Sequence, residues 1–195
     1  MILYGIIIIL SMIIDILINI FFVKAASSLT YIISTIYFVI LLILIDGIFA
    51  GIIRWFIPKK FINKDHKIYQ ISKKEIKIYD LFGMKRWKHL IPDLGQFTNF
   101  QKNKIENPKD NLYLERYIME AIYGMWGHLI GAPMGFLVLL FDFNMYSNGS
   151  TLWLTVALPC AIINLILDII PAFVLRYNLN RLQIMYKYNQ KHQNK

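Results

Sequence analysis

Long apolar runs separated by polar segments set the pattern of this chain. Residues 2–23 form the first run, interrupted by Asp15 and Asn19, and residues 29–53 form the second, closed by Arg54-Trp55. A third run covers roughly 118–141 and a fourth covers 151–175, the latter carrying Pro159, Asn164, Asp168 and Pro171. Some 20 residues at about 1.5 Å each cross a hydrocarbon core of roughly 30 Å, so each run predicts a transmembrane helix. The expected fold is an all-α membrane protein of about four spans. The short Lys24–Ser28 connection predicts an antiparallel helical hairpin at the start. A cleaved signal peptide is the rival reading of the first run, since Val23-Lys24-Ala25 resembles a cleavage site. The start lacks Lys or Arg, and the run exceeds the usual apolar length of about 7–15 residues, which favours a retained helix.

Between the second and third runs the pattern changes. Residues 56–116 are polar and basic, which divides the chain into an N-terminal transmembrane hairpin (1–55), a basic loop (56–116), and a C-terminal hairpin with a basic tail (117–195). His66–Ser72 reads as a short strand. Lys74–Trp87 fits two periods: Ile76, Tyr79 and Met84 suit a helical face, while Ile76 and Ile78 alternate as in a strand. Gly83, Pro92 and Gly95 punctuate this stretch, and Asn107-Pro108-Lys109-Asp110 reads as a turn. Asp142–Ser150 is a short polar loop, and its Asn148-Gly149-Ser150 is read as a common turn tripeptide rather than a glycosylation acceptor.

Composition agrees with the pattern: 57% hydrophobic residues with a net charge of +9 over 195 residues. The position of the charge adds orientation. Of 21 Lys and Arg, one lies in the first connection, fifteen in 54–116, none in 142–150 and five in 176–195. Basic residues stay on the cytoplasmic side, so the chain is expected in the cell membrane, multi-pass, with both termini and the long loop cytoplasmic. The same charge suits anionic lipid, making membrane lipids the expected partner and nucleic acid a poor one. The single Cys160 can form no internal disulfide.

Three ionisable residues interrupt the apolar runs at matching depths. Asp46 stands eight residues before Arg54, His128 eight after Glu120, and Asp168 eight before Arg176. Each therefore sits roughly 12 Å inside the cytoplasmic boundary of a regular helix. A charged side chain at a span's centre costs at least about 2.5–3.5 kcal/mol, so it is expected to have a partner or a function. His128, in Trp126-Gly127-His128-Leu129-Ile130-Gly131-Ala132-Pro133, is the candidate general base, with Asp168 or Glu120 as its support. Glu120 is about 12 Å away along the axis, too far for direct contact, but within about 80° of the same face. The structural alternative is interhelical glue, in which these groups satisfy one another without chemistry. Asp15, nearer the external half, is expected to face a helix partner in the neighbourhood of Asn19. The spacings form no metal-ligand cluster, so no metal or bound cofactor is expected.

Lys85-Arg86-Trp87-Lys88-His89-Leu90-Ile91-Pro92-Asp93 combines cations, an interfacial aromatic and a carboxylate. Such a segment suits the phosphates of an activated donor, or equally a patch on anionic lipid. His89 and Asp93 are four apart, one residue short of the His–Asp motif of soluble-domain glycerolipid acyltransferases. Arg176 and Arg181 follow the last span, where basic anchors are ordinary.

Trp87-Lys88…Pro92-Asp93, Glu120…His128 and Arg176-Tyr177-Asn178…Arg181-Leu182, in this order and spacing, resemble the glycosyl-4,4'-diaponeurosporenoate acyltransferase family. Members of that family are small bacterial membrane proteins acting last in making a carotenoid pigment, where they place a fatty acyl chain on a sugar hydroxyl. The resemblance covers about 75–185. It departs from the family at Met125, where a second glutamate is the family pattern, at Asp168, where asparagine is, and at Leu179, where basic character is. It implies catalytic roles for His128, Glu120 and Asp168, and substrate contacts from Trp87, Lys88, Asp93, Arg176, Asn178 and Arg181. The implied co-substrate is an acyl thioester of coenzyme A or a carrier protein, and the implied acceptor is a glycosylated isoprenoid or other lipid. The competing expectation is a non-catalytic membrane accessory or lipid-binding protein that uses the basic loop.

Overall fold

A computed structural model describes residues 2–57, 62–91, 105–141 and 152–193. Among these residues there is no strand. The long elements are α1 (Ile2–Ile18), α2 (Ser28–Phe56), α5 (Asn111–Met134) and α6 (Leu158–Gln193). Two short helices, α3 (Lys73–Leu81) and α4 (Met84–Trp87), lie between α2 and α5. A π-helical turn, Asn19–Val23, extends α1, and another, Trp153–Ala157, leads into α6; a 3₁₀ segment, Gly135–Leu140, follows α5. Four stretches are long and apolar enough to cross a membrane: Tyr4–Val23, Ser28–Phe56, Asn111–Leu140 and Trp153–His192. The all-α, four-span fold is as expected.

Two local expectations are corrected. His66–Ser72 is not a strand: Lys67–Tyr69 is a 3₁₀ turn, begun by the His66 imidazole accepting from the Ile68 N–H at 3.3 Å. A side-chain acceptor at the first position offers the backbone a turn that a strand period does not reveal. Lys74–Trp87 resolves as helix on both sides of Gly83, whose φ of 63° breaks α3 from α4. The Ser72 hydroxyl caps α3 by accepting from the Glu75 N–H at 3.1 Å. The fourth span runs on to Gln193 without a break at Arg176, so the basic tail is helical. At 40 residues, Trp153–His192 would reach about 60 Å, twice the hydrocarbon core, so its basic end extends into water. The turn at Asn107–Asp110 is present, closed by Asp110 N–H to Asn107 C=O at 3.2 Å. The loop 142–150, with Asn148, lies outside the described residues.

The chain forms two compact units, Ile2–Gly51 with Gly127–Ile169, and Ile52–Trp126 with Ile170–Lys195. In the first, α1 and α2 pack antiparallel. Lys24 takes a left-handed φ of 54° at the reversal, and the Tyr31 hydroxyl accepts from the N–H groups of Ala25 and Ala26 at 2.8 and 3.1 Å. Tyr31, Phe38, Leu42, Val138, Leu152, Val156 and Ala161 form its core. Ile9, Ile13, Ile14, Leu17, Ile43, Leu44 and Ile48 point outward, as lipid-facing residues must, since hydrocarbon gives apolar surface no reason to hide.

Asp15 has the partner expected of it. It is buried, accepts from Thr35 Oγ1 at 3.2 Å, and its backbone carbonyl accepts from Asn19 Nδ2 at 2.9 Å. Asn19 Nδ2 also donates to the Thr155 carbonyl at 2.9 Å, joining three segments of this unit. Pro171 removes the N–H that would close α6 onto the Leu167 carbonyl; the Tyr4 hydroxyl donates to that carbonyl at 3.1 Å instead.

In the second unit, Tyr79, Met84 and Val174 form a small core with Ile71, Trp87, Ile91 and Tyr177 around it. Trp87 fixes the α3–α4 corner by donating Nε1–H to the Phe82 carbonyl at 2.9 Å.

Candidate functional site

The ionisable layer read from sequence is assembled in the first unit. His128 Nδ1 lies 2.8 Å from Asp168 Oδ1, a bond between residues on α5 and α6. The Asp46 carboxyl, from α2, lies beside that of Asp168, both against the backbone of Gly131. Asn164, one helical turn before Asp168, donates Nδ2–H to Asp46 Oδ1 at 3.2 Å. The result is a continuous polar chain, Asn164–Asp46–Asp168–His128, drawn from three helices.

Two glycines on α5 and its 3₁₀ continuation make room for it. A Cβ on Gly131 would stand 3.1 Å from Asp168 Oδ2 and 3.4 Å from Asp46 Oδ1. A Cβ on Gly135 would stand 2.8 Å from Asn164 Nδ2. Their spacing of four places both on one helix face, a small-xxx-small stripe that lets polar side chains from α2 and α6 lie against the backbone.

The geometry fixes the chemistry available to the imidazole. With Asp168 accepting from Nδ1–H, Nε2 is the ring nitrogen left with a lone pair. The His128 side chain is 27% exposed and that of Asp168 is 12% exposed, so the ring is reachable and its carboxylate largely enclosed. A carboxylate at Nδ1 sets the tautomer of an imidazole, and this is the arrangement that general bases use. The described residues hold no group of three or more His, Cys, Asp or Glu that could bind a metal.

Glu120 is placed differently. Its carboxylate is ion-paired to the Arg54 guanidinium, a closing contact between α2 and α5 in the second unit. The support of His128 is therefore Asp168, and Glu120 is engaged elsewhere. Arg176 is also committed. It holds Glu75 through Nε–Oε1 at 2.5 Å and Nη2–Oε2 at 3.2 Å, and donates Nη1–H to the Ile68 carbonyl at 2.6 Å. Burial raises the Glu75 carboxyl, but hydrogen bonds from Arg176 and Tyr79 outweigh it and leave the group below its usual range. Burial, then the hydrogen bond to Glu75, pushes the Tyr79 phenol up to about 12.

Lys88 Nζ donates to Asn178 Oδ1 at 2.7 Å and lies 5.0 Å from the centre of the Tyr177 ring. Burial, then the positive charges of Arg181 and Lys85, hold its ammonium below the ordinary lysine range. These crowded cations, with Arg181 and Lys85 exposed, would gain from an anion. Trp87, Lys88, Asn178 and Arg181 thus belong to one neighbourhood of the second unit, while Asp93 lies outside the described residues. Sequence reading missed Asn164 as part of the polar chain; its signal was an amide four residues before Asp168 on the same face.

The family model for glycosyl-4,4'-diaponeurosporenoate acyltransferase matches residues 54–188, well over half of the chain. The chain belongs to this family. His128 and Asp168 fall within the matched segment, as do Trp87, Lys88, Asn178 and Arg181, whereas Asp46 precedes it. Membership makes the chain one of an acyltransferase family of carotenoid synthesis. No curated protein matches the chain, and no solved structure does.

Proposed function

We propose that this protein transfers a fatty acyl group from a thioester of coenzyme A or a carrier protein to a hydroxyl of a glycosylated isoprenoid lipid. The observation that carries this reading is the 2.8 Å pairing of His128 with Asp168 inside a matched acyltransferase segment. His128 Nε2 takes the proton of the acceptor hydroxyl as its oxygen attacks the thioester carbonyl carbon. The C–S bond breaks as the tetrahedral intermediate collapses, and the imidazolium returns the proton to the thiolate. The products are an ester and a free thiol. Asp168 holds the ring and stabilises its charged form during the transfer.

For the donor's phosphates, Lys88 and Arg181 are the suited cations, with charge-assisted hydrogen bonds as the attraction. Arg176, occupied by Glu75, supports the fold around them. Placement in the cell membrane with both termini cytoplasmic, which the distribution of Lys and Arg supports, would give the enzyme access to a soluble thioester.

The test is mass spectrometry of lipids and pigments from cells supplied with a glycosylated carotenoid acid and expressing wild type or His128→Ala. A species heavier by one fatty acyl group, seen only with wild type, supports the proposal. Identical profiles would favour the accessory-protein reading, in which reversing the charges of Lys85, Arg86 and Lys88 alters lipid binding instead.

A further inference from the structure

Asp168 keeps one buried oxygen without a partner in the polar chain. The residue is 8% exposed, and its Oδ1 is taken by His128. Oδ2 is fully buried with no hydrogen-bond partner among the described protein groups. A buried acceptor left unsatisfied costs about 1–3 kcal/mol, more when charged. The group beside it, across the same face of Gly131, is another carboxyl, Asp46, which accepts from Asn164 through Oδ1. Two carboxylates facing each other satisfy nothing. One carboxylic acid and one carboxylate satisfy both.

We propose that Asp46 is a positioning residue: it carries a proton and donates it to Asp168 Oδ2, locking the carboxylate that holds His128. The hydrogen bonds then run in one direction, from Asn164 Nδ2–H to Asp46 Oδ1, from Asp46 Oδ2–H to Asp168 Oδ2, and from His128 Nδ1–H to Asp168 Oδ1. Every polar atom named has a partner of the right kind, and the carboxyl groups together carry one negative charge. Satisfied networks of this sort fix side-chain geometry in a medium where no water competes. Gly131 confines the pair from the α5 side, since any larger residue would occupy the space against both carboxyls. Asp46 lies before residues 54–188, so family membership assigns it no role.

The role of Asp46 in turnover rests on His128 being the base, but its proton does not. Infrared difference spectra of wild type against Asp46→Asn, in native membranes, read that proton without any transfer reaction. A protonated acid has a carbonyl stretch well separated from carboxylate bands, and the wild-type spectrum should contain one that Asp46→Asn removes. A wild type without that band, or a variant that keeps it, overturns the proposal whatever the enzyme does. The kinetic arm uses two variants. Asp46→Leu leaves Oδ2 unsatisfied and should lower kcat about 10- to 100-fold with KM little changed. Asp46→Asn keeps a donor toward Asp168 and should recover most of that loss. Equal loss in both variants, or full activity in Asp46→Leu, would overturn the positioning role. A wild type with no transfer at all would instead count against the acyltransferase reading, leaving the infrared result to decide on the proton.

Discussion

Gly135 and Asn164 face each other so closely that a Cβ on residue 135 would stand 2.8 Å from the asparagine Nδ2. The same position would meet Leu42 Cδ2 at 3.3 Å. Gly135→Ala should therefore push Asn164 away from Asp46 and cost about 1–3 kcal/mol through overpacking. Thermal unfolding in detergent measures the cost. Gly127→Ala is the control, because a Cβ there meets nothing within 4 Å.

His128→Ala should reduce acyl transfer by about 10²- to 10⁴-fold, the range of a lost general base. Asp168→Ala should fall in the same range, since it removes the group that orients the ring. Both variants need to be seen inserted in membranes at wild-type level. Unaltered turnover in His128→Ala would take the imidazole out of the mechanism.

The pairing of Glu75 with Arg176 gives a pH dependence with a definite sign. The folded Glu75 carboxyl lies below its ordinary value of 4.5, so its contribution is complete above that value. It is lost as pH falls from 4.5 through the lower folded value. Stability should thus drop in acid, and Glu75→Gln should flatten this part of the profile while lowering stability at neutral pH. Tm measured from pH 3 to 7 in both proteins checks it; the same acid slope in Glu75→Gln would assign that slope to other groups.

Thr35→Val removes the hydroxyl that donates to buried Asp15. Interhelical hydrogen bonds of this type average about 0.6 kcal/mol in membranes, with a maximum near 1.7. A loss within that range, with acyl transfer unchanged, is the expected result. A large loss of transfer would give the Asp15 cluster a part in the chemistry.

The four spans were legible because apolar run length responds to the bilayer itself. The matching offsets of Asp46, His128 and Asp168 from basic or acidic boundary residues put them at one level. Helix rotation was not legible, because Gly131 and Gly135 steer the packing and a glycine leaves no hydrophobic signature. The preference of His128 for Asp168 over Glu120 was equally hidden, since Arg54 competes for the glutamate from 66 residues away in the chain. The strand expected at His66–Ser72 failed for a local reason, the imidazole bond that initiates a turn.

The bond from Tyr4 to the Leu167 carbonyl has a practical consequence for handling the protein. It places the first turn of α1 one residue away from Asp168 along α6, at the step where Pro171 leaves a carbonyl without its helical donor. An affinity tag fused ahead of α1 would load that joint, whereas Lys187, Tyr188 and Lys191 near the other end are exposed. Purification and labelling therefore belong at the carboxyl end, and a drop in activity on amino-terminal tagging would report on the same joint.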